Sequence, residues 1–247
     1  MSPSALAVLV PVTVAASLWV GTGVSASASN AAAAAVPRTQ ELALLLGPHE
    51  AMSRPAKSST AIQLVNPKRP LTGEQTALPV IGHRTGAHGT QWLHVMLPGR
   101  PDGHTGWIER TGTAHAVTPW HIVVDTALRR VTVYRDGDRV RTIEAIVGKP
   151  STPTPDGEFF VEEVVELRPN DVGAPYALAL SARSAVYQEF DGGPGQIALH
   201  GLANIGGVLG TAASHGCVRL DGSAMTWLVT RIGPGVPVTI TSRAGST

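Results

Sequence analysis

The chain has 247 residues, which is enough for one or two domains, and a formal net charge of +1 with scattered lysines and arginines. It has no basic stripe to favour a nucleic-acid partner and no acidic tail to favour a basic one. Runs of valine, isoleucine and threonine, broken by glycine and proline, predict a mainly β protein.

The N-terminus has the pattern of an export signal. Residues 5–24 are nearly all apolar, and Ala26-Ser27-Ala28 fits a cleavage site of small residues. We expect a signal peptide over 1–28 and a protein that is secreted or cell-wall associated, outside the cytoplasmic membrane. An uncleaved anchor is the alternative, because the apolar run approaches the ~20 residues that a spanning helix needs.

The next segments predict a linker followed by a small β module. Residues 29–60 are expected to be a linker, interrupted by one short helix over 39–46 that Gly47-Pro48 would end. Over 61–117, short strands between glycine and proline turns predict a β-barrel-like module. Its Gly106-Trp107-Ile108 resembles part of a bacterial SH3-like module. The histidines of this region match no metal-ligand spacing: His83, His88, His94 and His104.

Residues 118–243 predict a second, larger domain that begins at Thr118-Pro119. The alternating patterns favour an antiparallel, sandwich-like sheet with one or two helices. One helix is expected near 223–231, with Asp221 or Ser223 as its N-cap. The predicted strands are 121–125, 130–134, 139–147, 158–166, 176–181, 196–200 and 237–241.

Cys217 is the only cysteine in the chain and lies in the run Ser214-His215-Gly216-Cys217-Val218-Arg219. A lone cysteine cannot form an internal disulfide, and its polar neighbours favour a reactive nucleophile over a buried core residue. The candidate bases are His200 and His215. No histidine follows Cys217, whereas papain-like peptidases and related cysteine peptidases of the wall place the cysteine before the histidine.

These residues resemble the signature of the L,D-transpeptidase catalytic domain of the YkuD type. The resemblance rests on His200-Gly201, on the run that holds Cys217, and on two upstream segments, 147–150 and 152–159. It implies a transpeptidase that cross-links peptidoglycan stem peptides through a thioester on Cys217 and releases D-Ala. It further implies that His200 carries the proton and that the Gly201 carbonyl orients it. No metal or organic cofactor is implied; we expect a monomer that carbapenems acylate.

The remaining site residues receive narrower roles. The N–H groups of Gly216 and Cys217 are candidate oxyanion donors, and Ser214 is a candidate to bind substrate or the loop backbone. His215 is expected to line the site. Arg219 is a candidate for a substrate carboxylate, with a salt bridge as the competing interpretation. We expect Cys217 to be accessible and to ionise below an ordinary thiol.

Three alternatives stay open at this point. An L,D-carboxypeptidase would use water as the acceptor in place of an amine. A non-catalytic protein could bind the wall through the N-terminal module. A zinc enzyme could draw three ligand atoms from His200, His215 and Cys217, although their spacing matches no common pattern.

Overall fold

The protein is described by a computed structural model that covers residues 36–190 and 192–242. The predicted signal peptide over 1–28 lies outside these residues, as does the start of the expected linker. The described part consists mainly of β-strands with one α-helix, which confirms the predicted fold class. No helix within it is long and apolar enough to cross a membrane.

The N-terminal half forms one antiparallel sheet of seven strands in the order β3-β2-β6-β5-β4-β1-β7. Alternate residues of β4, β5 and β6 face inward and build a core with Leu78, Val95 and Ile108. The strands are β1 (Gln40–Leu45), β2 (His49–Met52), β3 (Ala61–Val65), β4 (Ala77–Thr85), β5 (Gln91–Met96), β6 (Thr105–Glu109) and β7 (Thr113–Thr118).

The helix expected over 39–46 is wrong, because these residues form β1 between β4 and β7. A short apolar run fits a buried strand and a helix equally well, and here pairing on both sides selects the strand. Strands β1 and β2 belong to the sheet, so residues 40–52 are not linker. The boundaries of an SH3-like module and a catalytic domain stay predictions.

The C-terminal half is built on an eight-stranded sheet in the order β10-β9-β8-β17-β12-β13-β14-β16. A separate parallel pair, β11 with β15, lies beside its last strand through a bridge between Ile146 and Arg219. The strands are β8 (Trp120–Asp125), β9 (Arg130–Arg135), β10 (Asp138–Glu144), β11 (Val147–Gly148), β12 (Gly157–Glu166), β13 (Tyr176–Arg183), β14 (Gln196–His200), β15 (Ala212–Ser214), β16 (Val218–Arg219) and β17 (Pro237–Thr241).

Helix α1 (Gly222–Val229) covers one face of this second sheet. Asp221 is its N-cap, since the carboxylate accepts the N–H of Ala224 at 2.9 Å. Met225 and Leu228 are fully buried and belong to the core cluster of the eight-stranded sheet. The helix therefore closes the core directly behind β16, the strand that follows Cys217.

Strand β12 joins the two halves. Phe159 packs into the core of the eight-stranded sheet, whereas Phe160 packs into the core of the N-terminal sheet. A register shift between Val161 and Glu163 follows, and it brings two adjacent glutamates, Glu162 and Glu163, into the interior. The two cores are thus held together by consecutive residues of one strand.

Both buried glutamates are paired across the boundary between the halves. Glu162 forms ion pairs with Arg69 and with Arg183, the latter at 3.0 Å. Glu163 accepts the backbone N–H groups of Leu71 and Thr72 at 3.2 and 3.0 Å. Because an unpaired buried carboxylate is strongly unfavourable, these contacts stabilise the N-terminal sheet against β12.

Candidate active site

The parallel pairing of β14 with β16 determines which side chains meet. Leu199 is opposite Val218, and both are fully buried in the core. Successive side chains of a strand point to opposite faces, so His200 and Arg219 project from the other face. Cys217 comes directly before β16, and β16 pairs with the strand that ends at His200. That Cys217 and His200 form one site stays a prediction.

The His200 ring is held in one tautomer. Its Nδ1 lies 2.8 Å from the Gly201 carbonyl oxygen, which can only accept, so Nδ1 carries the proton. The other ring nitrogen, Nε2, is then the one that can take up a proton. Burial lowers the pKa of His200; the bond to Gly201 acts to raise it, and the charge of Arg219 lowers it further. The resting ring is therefore neutral.

Gly173 presses against the His200 ring and was not predicted as part of the site. Its φ of +86° suits glycine, and a Cβ there would come within 2.5 Å of His200 Nδ1. Its carbonyl accepts the Gly201 N–H at 2.7 Å. The sequence offered only a glycine in a loop, since the approach to His200 depends on a contact 27 positions along the chain.

The loop before Cys217 is braced from within by Ser214. The Ser214 hydroxyl donates to the Cys217 carbonyl at 2.5 Å and accepts the Gly216 N–H at 3.1 Å. The Gly216 N–H is therefore occupied in this structure, in contrast to the oxyanion role expected for it. The Cys217 N–H has no acceptor within the described ranges, so it is the donor available for an oxyanion. Ser214 is fully buried, which favours its structural role over contact with substrate.

The same loop is braced from outside by residues of the upstream segment 147–159. Thr154 Oγ1 donates to the Gly216 carbonyl at 2.8 Å, and Thr152 Oγ1 donates to the Ser214 carbonyl at 3.2 Å. The Lys149 N–H reaches the same Ser214 carbonyl at 3.0 Å. In the sequence this segment carries only the family resemblance. In the structure it holds the loop that carries Cys217.

Arg219 is a buried cation close to both reactive groups. Its residue is 9% exposed, and its buried Nε has no hydrogen-bond partner. No ion pair or hydrogen bond of its guanidinium occurs within residues 36–190 and 192–242. Its charge lowers the pKa values of His200 and Cys217. A guanidinium can bind a carboxylate or phosphate through two parallel hydrogen bonds, so this arrangement leaves Arg219 able to bind an anion.

The expectation that Cys217 ionises below an ordinary thiol is wrong. Desolvation raises its pKa, and this outweighs the lowering by a backbone hydrogen bond from Ala198 and by Arg219. The residue keeps part of its surface exposed, and its Sγ lies 3.9 Å from the Gln196 carbonyl. At neutral pH Cys217 is therefore a neutral thiol and His200 a neutral imidazole, and not a thiolate and an imidazolium.

His215 lies outside this face on the exposed side of the loop. Its ring centroid is 6.2 Å from that of Tyr187 and 6.0 Å from that of Phe190. It thus contacts two aromatic rings of the connection between β13 and β14, and the lining role expected for it stays a prediction. Within the described ranges no three His, Cys, Asp or Glu side chains group closely enough to hold a metal ion, so His200, His215 and Cys217 do not form such a group.

The two residues predicted as catalytic thus lie near the edge of the β-sheet, His200 at the end of β14 and Cys217 directly before β16. Residues 119–240 match the model of the L,D-transpeptidase catalytic domain family, YkuD, and over this segment the chain belongs to that family. L,D-transpeptidase 1 of Mycobacterium tuberculosis is 29% identical over 130 residues, which cover 48% of this chain and 49% of that protein. The chain thus spans about half the length of this curated relative.

The chain is also similar to a second curated protein and to a solved structure. The putative L,D-transpeptidase YkuD of Bacillus subtilis is 28% identical over 147 residues, 59% of this chain and 73% of that protein. A solved structure of L,D-transpeptidase 3 from Mycobacterium tuberculosis, in complex with a faropenem-derived adduct, is 15% identical. It covers 67% of this chain and 90% of that one, with a TM-score of 0.44.

Proposed function

We propose that the chain is a peptidoglycan L,D-transpeptidase that works through a thioester on Cys217. The observation that carries this proposal is the locked His200 ring, whose Nδ1–H bonds to Gly201 while Nε2 is free for a proton. Burial raises the pKa of Cys217, so its thiol rests protonated. A neutral thiol and a neutral imidazole suit general-base activation at the moment of attack.

The first half-reaction forms the acyl-enzyme. His200 Nε2 takes the thiol proton as Cys217 Sγ attacks the carbonyl between the diamino-acid residue of a stem peptide and its terminal D-Ala. The Cys217 N–H stabilises the oxyanion of the tetrahedral intermediate. The intermediate collapses, the carbon–nitrogen bond breaks, and His200 returns its proton to the departing amine of D-Ala. The peptide is then held to Cys217 as a thioester.

The second half-reaction reverses the roles. The amine of a neighbouring stem attacks the thioester carbonyl while His200 takes one of its protons. The carbon–sulfur bond breaks, His200 returns the proton to the sulfur, and a new peptide cross-link is released. Among the described residues no carboxylate pairs with Arg219, which supports a role in binding a carboxylate of the stem peptide.

The proposed location and inhibitors follow from the same reaction. Its substrate lies outside the cytoplasmic membrane, which agrees with the export signal expected over 1–28. Carbapenems carry a strained amide carbonyl that the Cys217 sulfur can attack, so we propose that they acylate Cys217. We further propose that the protein acts as a monomer, without a metal or organic cofactor.

Incubation of the protein with tetrapeptide stems, followed by mass spectrometry of the products, tests the proposed function. The expected product is a cross-linked dimer with release of D-Ala, and it is lost in Cys217→Ala. A matched control is Ser223→Ala, which changes an exposed hydroxyl at the start of α1. Tripeptide without dimer would favour the L,D-carboxypeptidase, and unchanged tetrapeptide would refute both activities.

A further inference from the structure

The connection between β13 and β14 flanks the candidate site with two aromatic rings. Tyr187 and Phe190 lie 5.4 Å apart by their ring centroids, and both contact His215, two positions before Cys217. Phe190 is 51% exposed. We call Tyr187, Phe190 and His215 the aromatic flank; any peptide that reaches Cys217 from this side passes over it.

The described parts of this connection, 184–190 and 192–195, are compact near their ends. The Ser184 N–H donates to the Gly195 carbonyl at 2.8 Å, and the Ser184 hydroxyl accepts the Tyr187 N–H at 3.0 Å. Phe190 and Gly193 exchange backbone hydrogen bonds at 2.9 and 3.0 Å. These local bonds shape the connection but do not attach it to the rest of the protein.

The attachment comes from the N-terminal sheet, through the turn between β5 and β6. Arg100 Nη2 lies 2.9, 3.0 and 3.4 Å from the carbonyl oxygens of Ser184, Tyr187 and Pro194. From the same turn, the Asp102 carboxylate accepts the Arg183 N–H at 2.9 Å. One guanidinium nitrogen of Arg100 therefore contacts both ends of the connection and also Tyr187, which lies between them.

We propose that Arg100 is a positioning residue of the proposed transpeptidase: it fixes the aromatic flank from the N-terminal sheet and so sets how tightly a stem peptide is held beside Cys217. This inference rests on the proposed function for its substrate and on the three carbonyl contacts for its mechanism. Hydrogen bonds from a charged donor are stronger than those from a neutral one. Arg100 does not contact Cys217 or His200, so it acts on binding and leaves the chemistry unchanged.

The test compares Arg100→Ala with the wild-type protein in a steady-state assay of D-Ala release from tetrapeptide stems. We expect KM to rise about tenfold with kcat within about twofold, because loss of uniform binding raises KM alone. The rate of Cys217 alkylation by iodoacetamide should not change. Arg100→Lys keeps a cationic donor, so its KM should lie between those of the wild type and Arg100→Ala. The matched control is Arg84→Ala, an exposed arginine of β4 whose side chain makes no hydrogen bond in the described part of the chain.

Hydrogen exchange of residues 184–190 and 192–195, read by mass spectrometry, gives a measure that needs no turnover. Arg100→Ala should speed exchange there and leave β8 and β9 unchanged. Unchanged exchange would overturn the proposal, as would a KM equal to that of Arg84→Ala. An equal fall of kcat and of the alkylation rate would also overturn it, since the chemistry would then be affected. If the wild type turns over no stem peptide, the proposed function fails, and the exchange result still decides the role of Arg100.

Discussion

Substitution of Glu162 by glutamine tests how strongly β12 holds the two sheets together. Glu162 is 2% exposed, and its carboxylate pairs with Arg69 and Arg183, whose side chains are 11% and 9% exposed. Removal of one partner from a buried ion pair costs about 3–5 kcal/mol. Glu163 also attracts Arg69, and Asp102 attracts Arg183, so some compensation remains. We therefore expect a loss of about 3 kcal/mol in the free energy of unfolding.

The assay is thermal unfolding followed by circular dichroism at constant pH and salt. A loss of about 3 kcal/mol corresponds to a fall of about 6–12 °C in Tm for a protein of this size. Glu166→Gln, on the exposed end of the same strand, is the matched control and should lie within about 0.5 kcal/mol of the wild type. Equal Tm values for the two variants would refute the view that the buried pairs stabilise this boundary.

Three further predictions concern His121, Gly173 and the thiol of Cys217. Burial lowers the pKa of His121 to about 4 from 6.5, so the unfolded chain gains a proton there first as the pH falls. The free energy of unfolding should thus decline by about 3 kcal/mol between pH 6.5 and 4 because of His121. Urea titrations of His121→Asn should show a shallower decline with pH than the wild type. Equal slopes for the two proteins would contradict this prediction. Gly173→Ala should displace the His200 ring and lower kcat about 10²–10⁴-fold, whereas Gly89→Ala, at a φ of +78° with open space around it, should not. Because desolvation raises the pKa of Cys217, its alkylation by iodoacetamide should be slow at neutral pH and accelerate only above the ordinary thiol range; a fast rate that levels off below pH 8 would speak against this.

The strands were predictable where the sequence alternates or is rich in β-branched residues. Residues 121–125, 130–134 and 196–200 were all recognised, and each lies within an observed strand. The residues of β1 predict a helix as well as a strand, because the five-residue apolar run 42–46 has no period of its own. Its neighbours β4 and β7 are distant in sequence. Pairing partners of this kind become visible only in three dimensions.

The features of the candidate site also divide into those that the sequence predicts and those that it does not. Cys217 and His200 were recognisable because a lone cysteine and a histidine stand in a short, unusual motif. The ring contact of Gly173 and the Thr154 bond to Gly216 were not, since both depend on long-range approach. The direction in which the pKa of Cys217 shifts is not predictable from the sequence for a related reason. The shift is a balance between desolvation and the charge of Arg219, and the motif shows the size of neither effect.

The central claim, that Cys217 is the acylated nucleophile, is tested most directly by the mass of the intact protein. The protein is incubated with tetrapeptide stems in the absence of an acceptor amine, quenched in acid and measured beside Cys217→Ser. We expect an added mass equal to the stem peptide without its D-Ala, located on Cys217 by peptide mapping and absent from the variant. Turnover of the stems with no adduct on Cys217, or with an adduct that persists in Cys217→Ser, would contradict the account.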